Sequence, residues 1–286
     1  MKLLNKISTP PSYIRRHNEI VDAKTNAVVK QELIEIKSGV TRRYREFQSA
    51  VRLRTILTVQ QDQVFVNSKT NLLSCYKTKS VKTRKIFSDI ETAQIVGTLG
   101  KCPYCGITRP NTYDHYLPED IYPEFAVHAL NLIPCCAECN SSKGTNFVQN
   151  GQRQYLHLYS DPFPEEQFLF VTINTRPNSA AYGVTFSLRK PAQFNQDKWN
   201  VIDAHFRKLR LINRYQNEAN DEISTVFDIS KAHISAGGND VGNFLNAVCV
   251  GEEVKFGMNH WRVVLKRSLA QTQEFINYVN TEANAV

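Results

Sequence analysis

No apolar run in this 286-residue chain approaches the roughly 20 residues that a membrane-spanning helix requires, which argues against an integral membrane protein. Its first residues, Met1-Lys2-Leu3-Leu4-Asn5-Lys6, carry charges but no apolar stretch of roughly 7–15 residues behind them, so they do not read as a secretory signal. Internal repeats, low-complexity tracts and heptad runs are missing too, which excludes solenoids and coiled coils. The expectation is a soluble, cytoplasmic protein with no membrane partner. In that reducing setting, cysteines serve as metal ligands or stay inert rather than forming disulfides.

What is present is ordinary globular composition, 42% hydrophobic and 22% charged, enough for one large domain or two small ones without covalent staples. The net charge of +8 is unevenly spread. Residues 1–100 hold 18 Lys/Arg against 8 Asp/Glu, and the remainder holds 17 against 19. A basic segment joined to a near-neutral one is the footprint of a protein that meets polyphosphate. The densest cluster is Arg42, Arg43 and Arg45, followed by Arg52 and Arg54. Interleaved with Tyr44 and Phe47, it offers phosphate contact with base stacking, or else an amphipathic helix with its arginines in water.

The texture divides the chain into three segments. Residues 1–96 open with an arm to Ser12 and continue as a basic, mostly helical region with no NG or DG turn from Tyr13 to Ile95. Residues 97–150 form a compact, turn-rich module. Residues 151–286 begin with two β-prone runs, Gln167–Asn174 and Tyr182–Leu188, joined by the turn-like Arg176-Pro177-Asn178-Ser179. One long helical pattern then runs from Asp197 to about Phe227. Gly237-Gly238 breaks the chain, and a last helix is expected from about Met258 to Val279.

Chemistry concentrates in the middle segment, where residues 101–147 hold five of the seven cysteines. Cys102-Pro-Tyr-Cys105 and Cys136-Ala-Glu-Cys139 are two C-x-x-C knuckles, and four thiolates complete the tetrahedral site that structural zinc prefers. No βαβ pattern surrounds them, so a thioredoxin-like redox motif is disfavoured. Cys135 is an alternative to Cys136, although only Cys136 has the knuckle spacing to Cys139. Cys75 and Cys249 read as small buried hydrophobes. Zinc closed by four thiolates has no open coordination position, so any catalysis must lie elsewhere. Asp114-His115, between the knuckles, pairs an oxygen ligand for a hard cation with a general base.

The order Asp114-His115 … Asn131 … Cys136-x-x-Cys139-Asn140-x-x-Lys143-Gly144 resembles the HNH endonucleases, the zinc-knuckle branch of the ββα-metal nucleases. Asp114-His115-Tyr-Leu-Pro118, Ala204-His205-Phe-Arg-Lys-Leu209 and Asn259-His-Trp-Arg262 extend the likeness to bacterial and phage-defence-associated members. The resemblance implies an α+β fold, with helical N- and C-terminal regions around a central ββα-metal module. Strand one would be Thr112–Leu117, a second strand would begin near Asn131, and a helix would open near Glu138. It also implies roles. Asp114 and Asn140 would hold a catalytic Mg²⁺ or Mn²⁺, His115 would activate water, and Asn131 would brace the loop and the histidine. Asn140 stands where the family usually has His, giving an H-N-N variant. Lys143 would sit near a phosphate. Glu119-Asp120, where relatives often have Lys, would lie in a solvated loop. His128 reads as a packed residue rather than a catalytic one, and His205 and His260 as structural as readily as functional.

The expected activity is metal-dependent hydrolysis of DNA, leaving 5′-phosphate and 3′-hydroxyl ends, in an anti-phage system beside an ATPase or another sensor. The alternatives are a zinc-stabilised nucleic-acid-binding module without catalysis and an RNA-cleaving effector.

Overall fold

The computed structural model describes residues 1–174 and 182–284. The turn expected at Arg176-Pro177-Asn178-Ser179 lies outside the described residues. The chain divides into two compact units, one of Leu3–Tyr104 with Thr108–Pro162, the other of Phe163–Val286 with Met1–Lys2 and Cys105–Ile107.

Six helices open the first unit: α1 (Tyr13–Asp22), α2 (Ala27–Glu35), α3 (Lys37–Leu53), α4 (Gln63–Asn67), α5 (Lys69–Lys77) and α6 (Val81–Thr92). Four of the six starts carry side-chain caps, whereas α3 and α5 have none. Ser12 accepts from the Arg15 amide, Asn26 from Val29 and Ser80 from Thr83, each satisfying a first-turn N–H that has no partner within the helix. Along α3, Val40, Arg43, Tyr44, Phe47, Ala50 and Val51 are buried, the 3–4 spacing of a single helix face. That face meets the loop before β2 (Leu132–Cys135). Phe47 stacks on Phe125 at 4.7 Å between ring centroids, and Tyr44 lies 4.5 Å from His128. Segments 1–96 and 97–150 therefore share one core.

β1 (Thr112–His115) pairs antiparallel with β2, placing Asp114 opposite Ile133 and His115 opposite Leu132. Helix α7 (Ala137–Lys143) follows directly. β3 (Val148–Gln149) and β4 (Gln152–Arg153) form a minimal hairpin around Asn150-Gly151, both at positive φ (51° and 72°). Asn-Gly suits the mirror-image turn that two-residue hairpin loops need, and this signal stands plainly in the sequence.

In the second unit, β5 (Leu169–Asn174) pairs with β6 (Gly183–Leu188). The single helix expected from Asp197 is two, α8 (Gln196–Lys208) and α9 (Leu211–Ser235), because Arg210 takes a left-handed φ of 50° that no helix tolerates. Helix α10 (Val241–Phe256) was not expected; its start is capped by Asp240 accepting from the Asn243 amide. The last helix also divides, into α11 (Trp261–Leu269) and α12 (Gln273–Asn284). The Asn259-His-Trp segment has a local structural task. Asn259 Oδ1 accepts from the Phe168 and Leu169 amides at 2.7 and 3.0 Å. The Gly106 carbonyl accepts from Trp261 Nε1 at 3.0 Å and lies 3.1 Å from His260 Nε2. At Gly106 the backbone has φ +70°, and a Cβ would stand 2.7 Å from His260 Nε2, so only glycine fits. Among the described residues no helix is long and apolar enough to cross a membrane.

Three histidines lie buried in the core of the first unit, and burial pushes them down, His17 and His157 to about 4 and His128 to about 3. In the unfolded chain they protonate near the usual value of about 6.5. As pH falls, the unfolded state therefore takes up protons first. Their contribution to stability is complete above about pH 7 and is lost between about 6.5 and 4, each adding a slope of up to ~1.4 kcal/mol per pH unit. Urea midpoints should fall steeply from pH 7 to pH 5, and a flat profile over that interval would contradict this assignment.

Candidate metal centre and the site around His115

Cys102, Cys105, Cys136 and Cys139 are all buried, and their sulfurs lie within 4.8 Å of one another. Two backbone amides point at sulfurs in the set, Ile107 N at Cys105 Sγ (3.4 Å) and Cys136 N at Cys102 Sγ (3.3 Å). Amide donors of this kind stabilise thiolate charge, and four soft donors converging in a small buried space fit zinc. Cys135 faces elsewhere. Its thiol is 3.6 Å from Thr112 Oγ1 and burial pushes it up to about 12, the behaviour of a packed thiol. The choice between Cys135 and Cys136 thus falls on Cys136.

The other sequence-predicted residues are held as follows. Asp114 is 2% exposed and both its oxygens are engaged. Tyr104 OH donates to Oδ2 at 2.8 Å, and Lys143 Nζ donates to Oδ1 at 2.9 Å. Lys143, fully buried at the end of α7, also donates to the His115 carbonyl at 2.9 Å. It is therefore not a phosphate contact at the surface. Four residues after Cys139 on the same helix, it points to the same buried side. Asn140, half-buried, donates from Nδ2 to Thr112 Oγ1 at 2.9 Å. The structure thus brings Lys143, rather than Asn140, onto Asp114. In this arrangement Asp114 does not fit Mg²⁺ or Mn²⁺, since a second cation at that carboxylate would face a buried ammonium.

His115 is fixed at Nε2, 2.9 Å from the Ala126 carbonyl, while Nδ1 lies 3.2 Å from Glu119 Oε2 without a hydrogen bond between them. The Tyr76 ring, from α5, meets it edge-on at 4.5 Å. Burial lowers its pKa from the usual value, opposed by the Glu119 carboxylate. A neutral ring donating from Nε2 to the carbonyl keeps a basic lone pair on Nδ1. Asn131, fully buried, accepts from the Leu117 amide at 2.8 Å and donates to the Leu117 and Phe125 carbonyls at 3.1 and 3.3 Å. It braces the loop that presents the Ala126 carbonyl to His115.

Glu119 and Asp120 are not free in a solvated loop: Glu119 meets His115, and Asp120 pairs with Lys69 at 2.6 Å. The arginine cluster divides. Arg42 is 64% exposed and near Asp62 (3.3 Å), and Arg45 is exposed. Arg43 is buried, donating to Glu124 at 2.7 Å, Glu46 at 2.8 Å and the Gln60 carbonyl at 2.6 Å. It falls on the apolar face of α3, so it supports the core and cannot reach a phosphate. Tyr76, Tyr104 and the Ala126 carbonyl complete the site without having been expected. Of these only Tyr104, inside the first knuckle, carried a positional hint.

The chain is 33% identical over 152 residues to Protein ea31 of Escherichia phage lambda, a match covering 52% of this chain and 49% of that protein. It is 37% identical over 62 residues to the Septu protein PtuB of Bacillus thuringiensis, covering 20% of this chain and 24% of that one. The chain thus spans about half of the first of these relatives and about a quarter of the second. No protein-family model matches the chain, and no solved structure matches it.

Two outcomes follow from the two charged clusters. Elemental analysis of purified protein should find about one zinc per chain; Cys139→Ser should remove it and Cys135→Ser should not. Retention of zinc by the Cys139→Ser protein would move the ligand set to Cys135. Lys143→Met leaves Asp114 as an uncompensated buried charge and should cost roughly 3–5 kcal/mol in urea unfolding, much of it recovered in Asp114→Asn/Lys143→Met. Additive losses in the double variant would show that the two side chains do not depend on each other.

Proposed function

We propose that this chain is a zinc-stabilised nuclease of the HNH type that hydrolyses phosphodiester bonds of DNA as the effector of an anti-phage defence system, activated by an ATPase or sensor partner. The observation that carries the reading is the setting of His115. An imidazole biased toward its neutral form by burial, fixed by a main-chain carbonyl, stands at the end of β1 beside β2 and α7. The succession of strand, strand and helix matches the order that the resemblance implies. The four buried cysteines leave zinc no open position, so proton transfer falls to this histidine. The distant similarity to a Septu defence protein supports the biological setting.

In this reading His115 Nδ1 takes a proton from a water molecule as its oxygen attacks phosphorus. The P–O bond opposite the water breaks, and the departing oxygen takes a proton from solvent. Glu119 stands at that nitrogen and must move aside first. Asp114, tied to Lys143 and Tyr104, holds the end of β1 in place. Divalent-metal dependence belongs to the proposal, but no step here is routed through a cation at Asp114. The engagement of both Asp114 oxygens favours, as a second reading, a nucleic-acid-binding module without catalysis.

Plasmid DNA and a labelled RNA, incubated with the protein in Mg²⁺, Mn²⁺ or EDTA, separate these readings. Cleavage of DNA by the wild type, reduced roughly 10²–10⁴-fold in His115→Ala at unchanged zinc content, is the expected result. Equal cutting by His115→Ala would remove the histidine from the mechanism, absence of cutting under all conditions would favour the binding module, and cleavage of RNA alone would reassign the substrate.

A further inference from the structure

The two acidic residues after Pro118 hold two basic groups of the first unit. Glu119 Oε2 lies 3.2 Å from His115 Nδ1, yet that oxygen is buried and receives no hydrogen bond of acceptable geometry. Asp120, the next residue, pairs with Lys69 at 2.6 Å, and both side chains are substantially exposed, 56% and 39%. An exposed pair of this kind contributes little to stability and exchanges readily for another anion. Two consecutive carboxylates therefore face two nitrogen groups of the first unit, the exposed Lys69 ammonium and the largely buried candidate catalytic nitrogen of His115.

The surface continues beyond them. Lys69, Thr70, Leu73, Ser74, Lys77 and Thr78 line a groove of about 470 Å³ along α5. Lys24 extends the positive charge by donating to Ser74 Oγ at 2.7 Å. The Ser74 and Thr78 hydroxyls donate to backbone carbonyls at 2.6 and 2.7 Å, so the lysines are the groups that would contact backbone phosphate oxygens. Tyr76 of the same helix touches His115, so the groove and the candidate base share one element.

We propose that His115 and Lys69 mark two adjacent phosphate positions of a nucleic-acid backbone site that continues along the Lys69–Thr78 groove, and that Glu119 and Asp120 occupy those positions in the free protein. The choice of ligand rests on the nuclease reading. The binding site itself does not depend on catalysis. Nucleic acid competes with the chain's own carboxylates, so removing their charge strengthens binding and removing the lysines weakens it.

The test is fluorescence anisotropy of the full-length, zinc-loaded protein with a labelled duplex of about 20 base pairs over a salt series in buffer without added Mg²⁺ or Mn²⁺, with zinc content measured alongside. Glu119→Gln/Asp120→Asn should tighten binding about tenfold. The same charge change at the exposed Glu165 and Glu166 should do much less. Lys69→Gln/Lys77→Gln should weaken binding and reduce the magnitude of the log K versus log[salt] slope by about 0.9 for each phosphate that is no longer neutralised. Equal tightening from the Glu165/Glu166 change, no tightening from Glu119→Gln/Asp120→Asn, or an unchanged slope in Lys69→Gln/Lys77→Gln would each overturn the site. A protein that binds in this way but cuts nothing in the plasmid assay would keep the site and lose the nuclease reading.

Discussion

Four thiols buried within 4.8 Å of one another cannot all ionise unless a cation sits among them, and the region around His115 depends on that constraint. The second knuckle lies at the start of α7, with Cys136 at its N-cap and Cys139 in its first turn. Fixing those sulfurs fixes the helix. One turn later Lys143 is carried inward, where its ammonium meets Asp114 and the carbonyl of His115. A metal held by these sulfurs would thus support the strand that carries His115 through a helix and a buried ion pair.

That arrangement separates two tasks that many zinc enzymes combine. In the proposed function a closed tetrathiolate would supply folding free energy and leave proton transfer to an imidazole. Around His115 every neighbour bears on its charge or its direction. Burial favours the neutral ring, the Ala126 carbonyl sets which nitrogen carries hydrogen, and Glu119 stands at the nitrogen left free. Asn131 reaches the site through the loop, by holding Leu117 and Phe125. Similarity to phage and Septu proteins covers parts of the chain only, so activity is inferred from this local chemistry.

Much of this was legible in the residues, for identifiable reasons. The knuckle spacing singled out Cys136 over Cys135 because C-x-x-C is a local geometric relation. The helical character from Tyr13 to about Ile95 followed from apolar residues spaced among charges and the absence of hairpin turns; the caps at Ser12, Asn26 and Ser80 became visible only in the structure. Two further signals become plain once the fold is known. Arg43 shares the 3–4 rhythm of Val40, Tyr44 and Phe47, which places it inside the core, and Asn150-Gly151 marks the hairpin of β3 and β4. Other features had no local signal. The break at Arg210 comes without glycine or proline, and the meetings of Tyr76 with His115 and of Lys69 with Asp120 join residues tens of positions apart. Long-range contacts of that sort are set by packing and leave no periodic trace in a single sequence.

The central claim is that zinc here is structural and that the chemistry belongs to His115. X-ray absorption at the zinc edge of the purified protein addresses it directly. Four sulfur neighbours at about 2.3 Å, with no nitrogen or oxygen in the first coordination sphere, is the predicted result. A nitrogen or oxygen ligand at about 2.0 Å would mean an open or mixed site, place a Lewis acid within reach of substrate, and contradict the division of labour between zinc and histidine.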